Sequence, residues 1–121
     1  MTAQFDLDFS GVERVVDKMT RISEDLKPAV HQVMTINIRK MHVTARHIVP
    51  FRTGFLKRSI YWKPIGLMRF LFGAAAPYAK HVEYGTSKMK ARPFLRPAVS
   101  TVWRVMMDEV AVKIRELLER S

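Results

Sequence analysis

The sequence predicts an α+β fold, and three observations carry that prediction. Apolar residues recur at spacings of three and four over residues 10–48 and again over residues 97–119, the period of helices with one buried face. Between these stripes, "SIYWK" and "LMRFLFGAA" are short and rich in aromatic residues, as strands are. Helices and strands are grouped along the chain rather than alternated, which sets α+β apart from a parallel α/β fold.

Taken from the N-terminus, residues 1–9 form a flexible arm. Ser10 and Glu13 then make an S-x-x-E capping box, in which each side chain satisfies a backbone N–H at a helix start. The first stripe is Val12, Val15, Val16, Met19, Ile22 and Leu26. Pro28 interrupts it, and because proline sits well in a first helical turn it also opens the next helix. That second stripe is Val30, Val33, Met34, Ile38, Met41, Ala45 and Ile48, closed by Pro50. Thr53 is placed to cap a single turn holding Phe55 and Leu56. Two strands follow, "SIYWK" stopped by Pro64 and a second from Leu67 to about Ala74, with Pro64, Ile65 and Gly66 as the turn between them. In "PYAKHVEYG", proline comes first and glycine last, the asymmetry of a short helix stopped by a left-handed glycine. Pro97 opens the last helix, whose stripe is Val99, Val102, Trp103, Met106, Val110, Ile114, Leu117 and Leu118. The expected architecture is one domain over residues 1–121: a long N-terminal helical region with a break near Pro28, a small antiparallel sheet, a short helix, an extended basic loop at 85–96 and a long C-terminal helix. Two strands alone make a marginal sheet. Either a third strand lies elsewhere in the chain or a neighbouring subunit supplies one.

With 121 residues the chain suits one domain, burying about two thirds of its unfolded surface. It has no cysteine, which excludes disulfides, thiolate metal sites and a cysteine nucleophile. The N-terminus does not read as a signal peptide, and no window approaches the length of a membrane span. A soluble protein made in a cytoplasm is expected. The net charge of +10 is unevenly spread: from Arg39 to Arg104 there are 14 Lys and Arg against one acid, Glu83. Such a block calls for an anionic partner, nucleic acid or an acidic protein surface, unless it is simply a solvated face.

Catalytic patterns are sparse. His42 and His47 lie five apart and His31 lies eleven before His42, not the i, i+4 spacing of a helical zinc pair. Glu83 has no second acid nearby, and His81, two residues away, points elsewhere on a helix. Its more natural role is a salt bridge or an acceptor for N–H groups. Phosphate-binding glycine loops and nucleophile elbows are absent from the sequence. No enzyme, metal or cofactor is expected. Aromatics interleaved with bases, as in "FRTGFLKRSIYWK", could hold phosphates and stack bases, although the sequence carries no named nucleic-acid-binding module.

Three stretches, "PFRTGFLKRSI", "PYAKHVEYGT" and "ARPFLRPA", occur in this order. They resemble the P-x-x-T-G-x-L-x-x-S-I, P-Y-A-x-x-V-E-x-G-T and A-x-P-F-L-R-P-A stretches of the head–tail joining, or tail-completion, proteins of long-tailed phages and prophages. The likeness covers most of residues 10–119, with its motif core at 50–98. Tyr84 stands where that family often has phenylalanine, and His81 where an aromatic is common. The resemblance implies a structural virion protein of the neck or tail, not an enzyme. It would form a ring, often sixfold, between head connector and tail tube, and make non-specific contact with DNA passing through the channel. On this likeness the docking or subunit-interface residues are expected among Arg52, Thr53, Gly54, Tyr78, Glu83, Tyr84, Gly85, Thr86, Lys88, Lys90, Arg92, Phe94, Leu95 and Arg96. The loop from Thr86 to Arg96 would reach an acidic neighbour or the DNA, and Phe94 and Leu95 would fill a partner's pocket or pack under their own last helix. The alternative function is a basic nucleic-acid-binding protein of a phage or prophage.

Overall fold

A computed structural model describes residues 2–50 and 54–120. The elements run β1 (Ala3–Asp8), α1 (Ser10–Met19), α2 (Leu26–Ile48), α3 (Phe55–Ser59), β2 (Ile60–Gly66), β3 (Arg69–Ala74), α4 (Ala79–Tyr84) and α5 (Leu95–Arg120). The class is α+β, with a long helix near each end of the chain and a small antiparallel sheet between them.

The sheet has three strands in the order β1-β3-β2. The segment expected as a flexible arm is the missing strand, so the sheet is completed within the chain and not by a neighbour. Its alternation explains the placement. Ala3 and Leu7 are buried and Phe5 half-buried, opposite Ala74, Phe70 and Phe72, while Gln4, Asp6 and Asp8 face out. Across β3, Trp62 lies opposite Phe72 and Ile60 opposite Ala74, so one apolar sheet face meets the helices. Phe70 and Phe72 are fully buried, each contributing about 1.5–3 kcal/mol relative to an exposed ring.

At Gly73 the backbone of β1 leaves no room for a side chain on β3. A Cβ there would lie 2.3 Å from the Ala3 carbonyl oxygen and 2.9 Å from the Gln4 Cα. Bare backbone at Gly73 also leaves the outer face open for the Tyr61 hydroxyl, which donates to the Gln4 side-chain oxygen from the opposite strand.

The hairpin turn falls at Leu67 and Met68, not at Pro64–Gly66. Pro64 stays inside β2 because β2 is an edge strand, where a missing N–H costs least, and the ladder is irregular between Pro64 and Gly66. The turn is pinned from two sides: the Phe9 N–H donates to the Met68 carbonyl, and His31 Nδ1 meets the Leu67 carbonyl. Three helical turns further along α2, His42 Nε2 lies 2.9 Å from the Ile60 carbonyl. The spacing that disqualifies these histidines as a metal pair suits them to hold both ends of one strand.

The capping box does not form. Phe9 is the N-cap, and the Ser10 N–H is taken by the Asp8 carboxylate at 2.9 Å. Glu13 instead lies 3.6 Å from Lys27, which also reaches Asp17 at 2.8 Å and so ties α1 to the start of α2. Helix α2 begins at Leu26, so Pro28 falls in its first turn. The core runs from Leu26, Val30, Met34, Ile38, Met41 and Ala45 of α2 to Leu95, Ala98, Val102, Met106 and Val110 of α5. Phe9 stacks on Trp103 with ring centroids 5.1 Å apart, joining the end of β1 to α5.

Candidate docking surface around Glu83

Helix α4 ends at Gly85, whose φ of 76° favours glycine. A Cβ there would sit 2.7 Å from the Ala91 nitrogen and 2.9 Å from the Met89 oxygen. The chain can therefore double back at once. Thr86 and Met89 exchange backbone hydrogen bonds, the Lys88 N–H donates to the Thr86 hydroxyl, and the Arg92 N–H donates to the Val82 carbonyl at 2.8 Å. The segment expected as an extended loop is thus a pinned strap, and it ends at Phe94 because α5 starts at Leu95, two residues before Pro97.

Glu83 closes the strap. Its side chain is 0% exposed. Oε1 accepts from the N–H groups of Phe94 at 3.0 Å and Leu95 at 2.8 Å; Oε2 accepts from the Arg96 N–H at 3.0 Å and from Arg96 Nε at 2.8 Å. Arg96 Nη2 donates in turn to the Glu83 carbonyl at 2.7 Å. The first N–H groups of a helix have no intrahelical partner and carry partial positive charge. A carboxylate eleven residues before Phe94 supplies both the acceptors and the countercharge for α5. The Glu83 carboxylate is turned wholly inward, onto its own chain.

The expected interface residues separate accordingly. Glu83, Phe94 and Leu95 are buried in the chain's own core, so their side chains lie beneath the surface. Tyr84 is 49% exposed, and the Arg96 guanidinium lies 4.7 Å above its ring, a cation–π contact that holds both side chains at the surface. Thr86, Lys88, Lys90 and Arg92 are exposed on the strap with Met89 among them. Tyr84, the strap and Arg96 therefore form one basic surface with an apolar spot, built on the Gly85 turn. Elsewhere, Gly54 (φ 77°) begins α3, and Tyr78 packs beside Phe55 with ring centroids 6.1 Å apart. Arg52 and Thr53, including the proposed Thr53 cap, lie outside the described residues.

Sequence reasoning passed over Asn37. It is fully buried between α2 and α5, with Nδ2 donating to the Val33 carbonyl and to Glu109 Oε2, each at 2.8 Å. It is also apolar-flanked in sequence, "TINIRK", a signal that could have drawn attention to it. Among the described residues no group of three or more His, Asp and Glu could hold a metal, and no helix is long and apolar enough to cross a membrane. Comparison with family models, with curated proteins and with solved structures returned no match.

Proposed function

We propose that this chain is a structural subunit of a phage neck or tail, a head–tail joining or tail-completion protein. It acts by assembling into a ring, with six copies favoured, and docking between the head connector and the tail tube. The ordered motifs carry this reading. What supports it physically is that two of them meet at one side chain: Glu83 of "PYAKHVEYGT" binds the backbone of "ARPFLRPA" and holds the strap between them in a fixed shape. A preorganised surface of Tyr84, Lys88, Met89, Lys90 and Arg92 loses little freedom on docking, which suits an assembly contact. On this reading the role needs no turnover and no cofactor. The protein is assembled in the host cytoplasm and works in the virion.

The test is genetic and visual. A strain lacking the gene should accumulate filled heads and separate tails, and electron micrographs of complete particles should show the protein as a ring at the neck. Normal yields of infectious particles from the deletion strain would end the proposal. Replacing Tyr84 with Ala and Arg92 with Glu together should reproduce the assembly defect while the isolated chain stays folded. A second reading, a basic nucleic-acid-binding protein, is favoured by one observation: no carboxylate occurs between Leu26 and Val82.

A further inference from the structure

That acid-free stretch holds ten Lys and Arg. Acids from outside it offset some of them. Lys27 is met by Asp17 at 2.8 Å, Lys40 by Glu109 at 3.7 Å, and Arg69 by Asp6. Arg39 lies over the Trp62 ring at 5.9 Å. Among the described residues, Arg46, Lys57, Arg58, Lys63 and Lys80 have no acidic partner.

Two of these five cations meet at one place. Arg46 and His47 of the last turn of α2, Lys57 of α3 and Val43 line a cleft of about 180 Å³. Among the described residues no carboxylate lines it. The carbonyl end of α2 favours the basic side chains of that turn, which fixes where they stand, but a helix end carries only about half a charge and cannot neutralise them. Two cations with an imidazole beside them around one small opening, all three exposed, make a place that favours an anion. The Arg58 guanidinium, on the same short helix, lies over Gly54, with Nη1 2.9 Å from where a Cβ would be.

From this geometry we infer that the cleft is a phosphate site for the backbone of a nucleic acid. An arginine fork beside a lysine point charge matches the non-bridging oxygens of a phosphodiester. An acidic protein would satisfy the charge as well, but the surroundings favour nucleic acid. Phe55, on the same helix as Lys57, is 49% exposed, so an aromatic side chain stands at the surface two residues from the cleft's lysine. Positive grooves combined with exposed aromatic faces are how proteins hold nucleic acid without reading its sequence. The cleft stands on its own geometry and does not depend on ring formation.

Fluorescence anisotropy tests it on the free full-length chain, with a short labelled duplex and its single strand at several salt concentrations. The probe should bind, and duplex and single strand should compete for the same cleft. The double variant Arg46→Ala/Lys57→Ala should lower the slope of log affinity against log salt by about two, one for each phosphate charge left without its cation. At low salt it should bind about tenfold or more weaker. Arg46→Lys/Lys57→Arg should retain the slope. Lys88→Ala/Lys90→Ala removes equal charge from the strap and should change binding much less. Equal losses from the two double alanine variants would replace the cleft with a diffuse field and overturn the inference, as would a wild-type slope in Arg46→Ala/Lys57→Ala. Displacement of the probe by polyglutamate as readily as by unlabelled duplex would assign the cleft to an acidic protein instead. Circular dichroism of each variant checks the fold, and sedimentation reads assembly separately, so failure of the ring and failure of the cleft are told apart.

Discussion

Glu83 and Asn37 are the buried polar side chains among the described residues, and they are built in opposite ways. Glu83 joins α4 to α5 across a segment with no regular structure, and both its oxygens are used twice. Asn37 sits in the middle of two long helices that already pack along their length. Its Nδ2 has two acceptors, while its Oδ1 has no partner among the described residues. The first group joins two helices across an irregular segment; the second sits between two helices that pack along their length. A buried polar group matters to a fold by what its removal strands, not by its burial alone.

The largest expected effect breaks the first half of that comparison. Glu83→Ala leaves three backbone N–H groups and Arg96 Nε without their acceptor, while Arg96 Nη2 keeps the Glu83 carbonyl. With two of the N–H groups fully buried, at about 1–3 kcal/mol for each stranded donor, the loss should be about 2–6 kcal/mol. For a small domain that approaches the whole stability. Glu83→Gln keeps one acceptor oxygen and should lose less. Urea midpoints of the two variants check both statements, and a loss under about 1 kcal/mol for the alanine would mean that water takes over the bonds.

Next in size is Gly73→Ala. Its Cβ would collide with β1 backbone, not with a flexible side-chain end, so β1 must move off β3. The expected cost is about 1–3 kcal/mol, as for other overpacked sites. Hydrogen exchange should show the loss concentrated in residues 3–8. Unchanged protection there would mean that β1 is not tied to the sheet at this point of close approach.

These two sites also show what was legible beforehand. Residues 1–9 were expected as an arm although "FDLDF" alternates, because β1 pairs with a strand more than sixty residues away and no local pattern shows a distant partner. The class and the helix stripes were readable because helical periodicity is local. The capping box failed because Asp8, two residues before Ser10, competes for the same end of the helix and takes the Ser10 N–H. Pro64 misplaced the turn because an edge strand tolerates proline. Glu83 could be read as an acceptor from its isolation in a basic field. Its partners at Phe94, Leu95 and Arg96 could not, because it binds mainly backbone N–H groups, which every residue but proline carries.

Asn37→Leu sharpens the second half of the comparison. The change removes the unpartnered Oδ1 from the interior and adds apolar volume between α2 and α5. Glu109 loses one donor, but its side chain is 41% exposed and keeps Lys40 at 3.7 Å, so water can replace the bond. The net effect should lie within about 1 kcal/mol of zero, on either side, in contrast to Glu83→Ala. A urea midpoint falling as far as that of Glu83→Ala would show that Asn37 organises the helix pair after all.

The smallest effect belongs to the surface, where charges are solvated in the folded and unfolded states alike. Asp6 of β1 accepts from Arg69 of β3, with Nε to Oδ1 at 3.0 Å and a second bond from Nη2 to Oδ2. The Arg69 hydrogen bonds, reinforced by its charge, hold the Asp6 carboxyl below its ordinary value of 3.8. A carboxyl whose folded-state pKa is lowered stabilises the fold above its unfolded pKa, and that contribution is lost as pH falls through the folded one. The pair should therefore help β1 stay docked at neutral pH and cease to do so in acid, below pH 3.8. Asp6→Asn should flatten that part of the acid limb, and high salt should mimic the substitution because exposed pairs are screened. Urea midpoints of both proteins across the acid range decide it. If the two acid limbs run parallel, the tether between β1 and β3 rests on backbone pairing and Gly73 alone, and the charge contributes nothing.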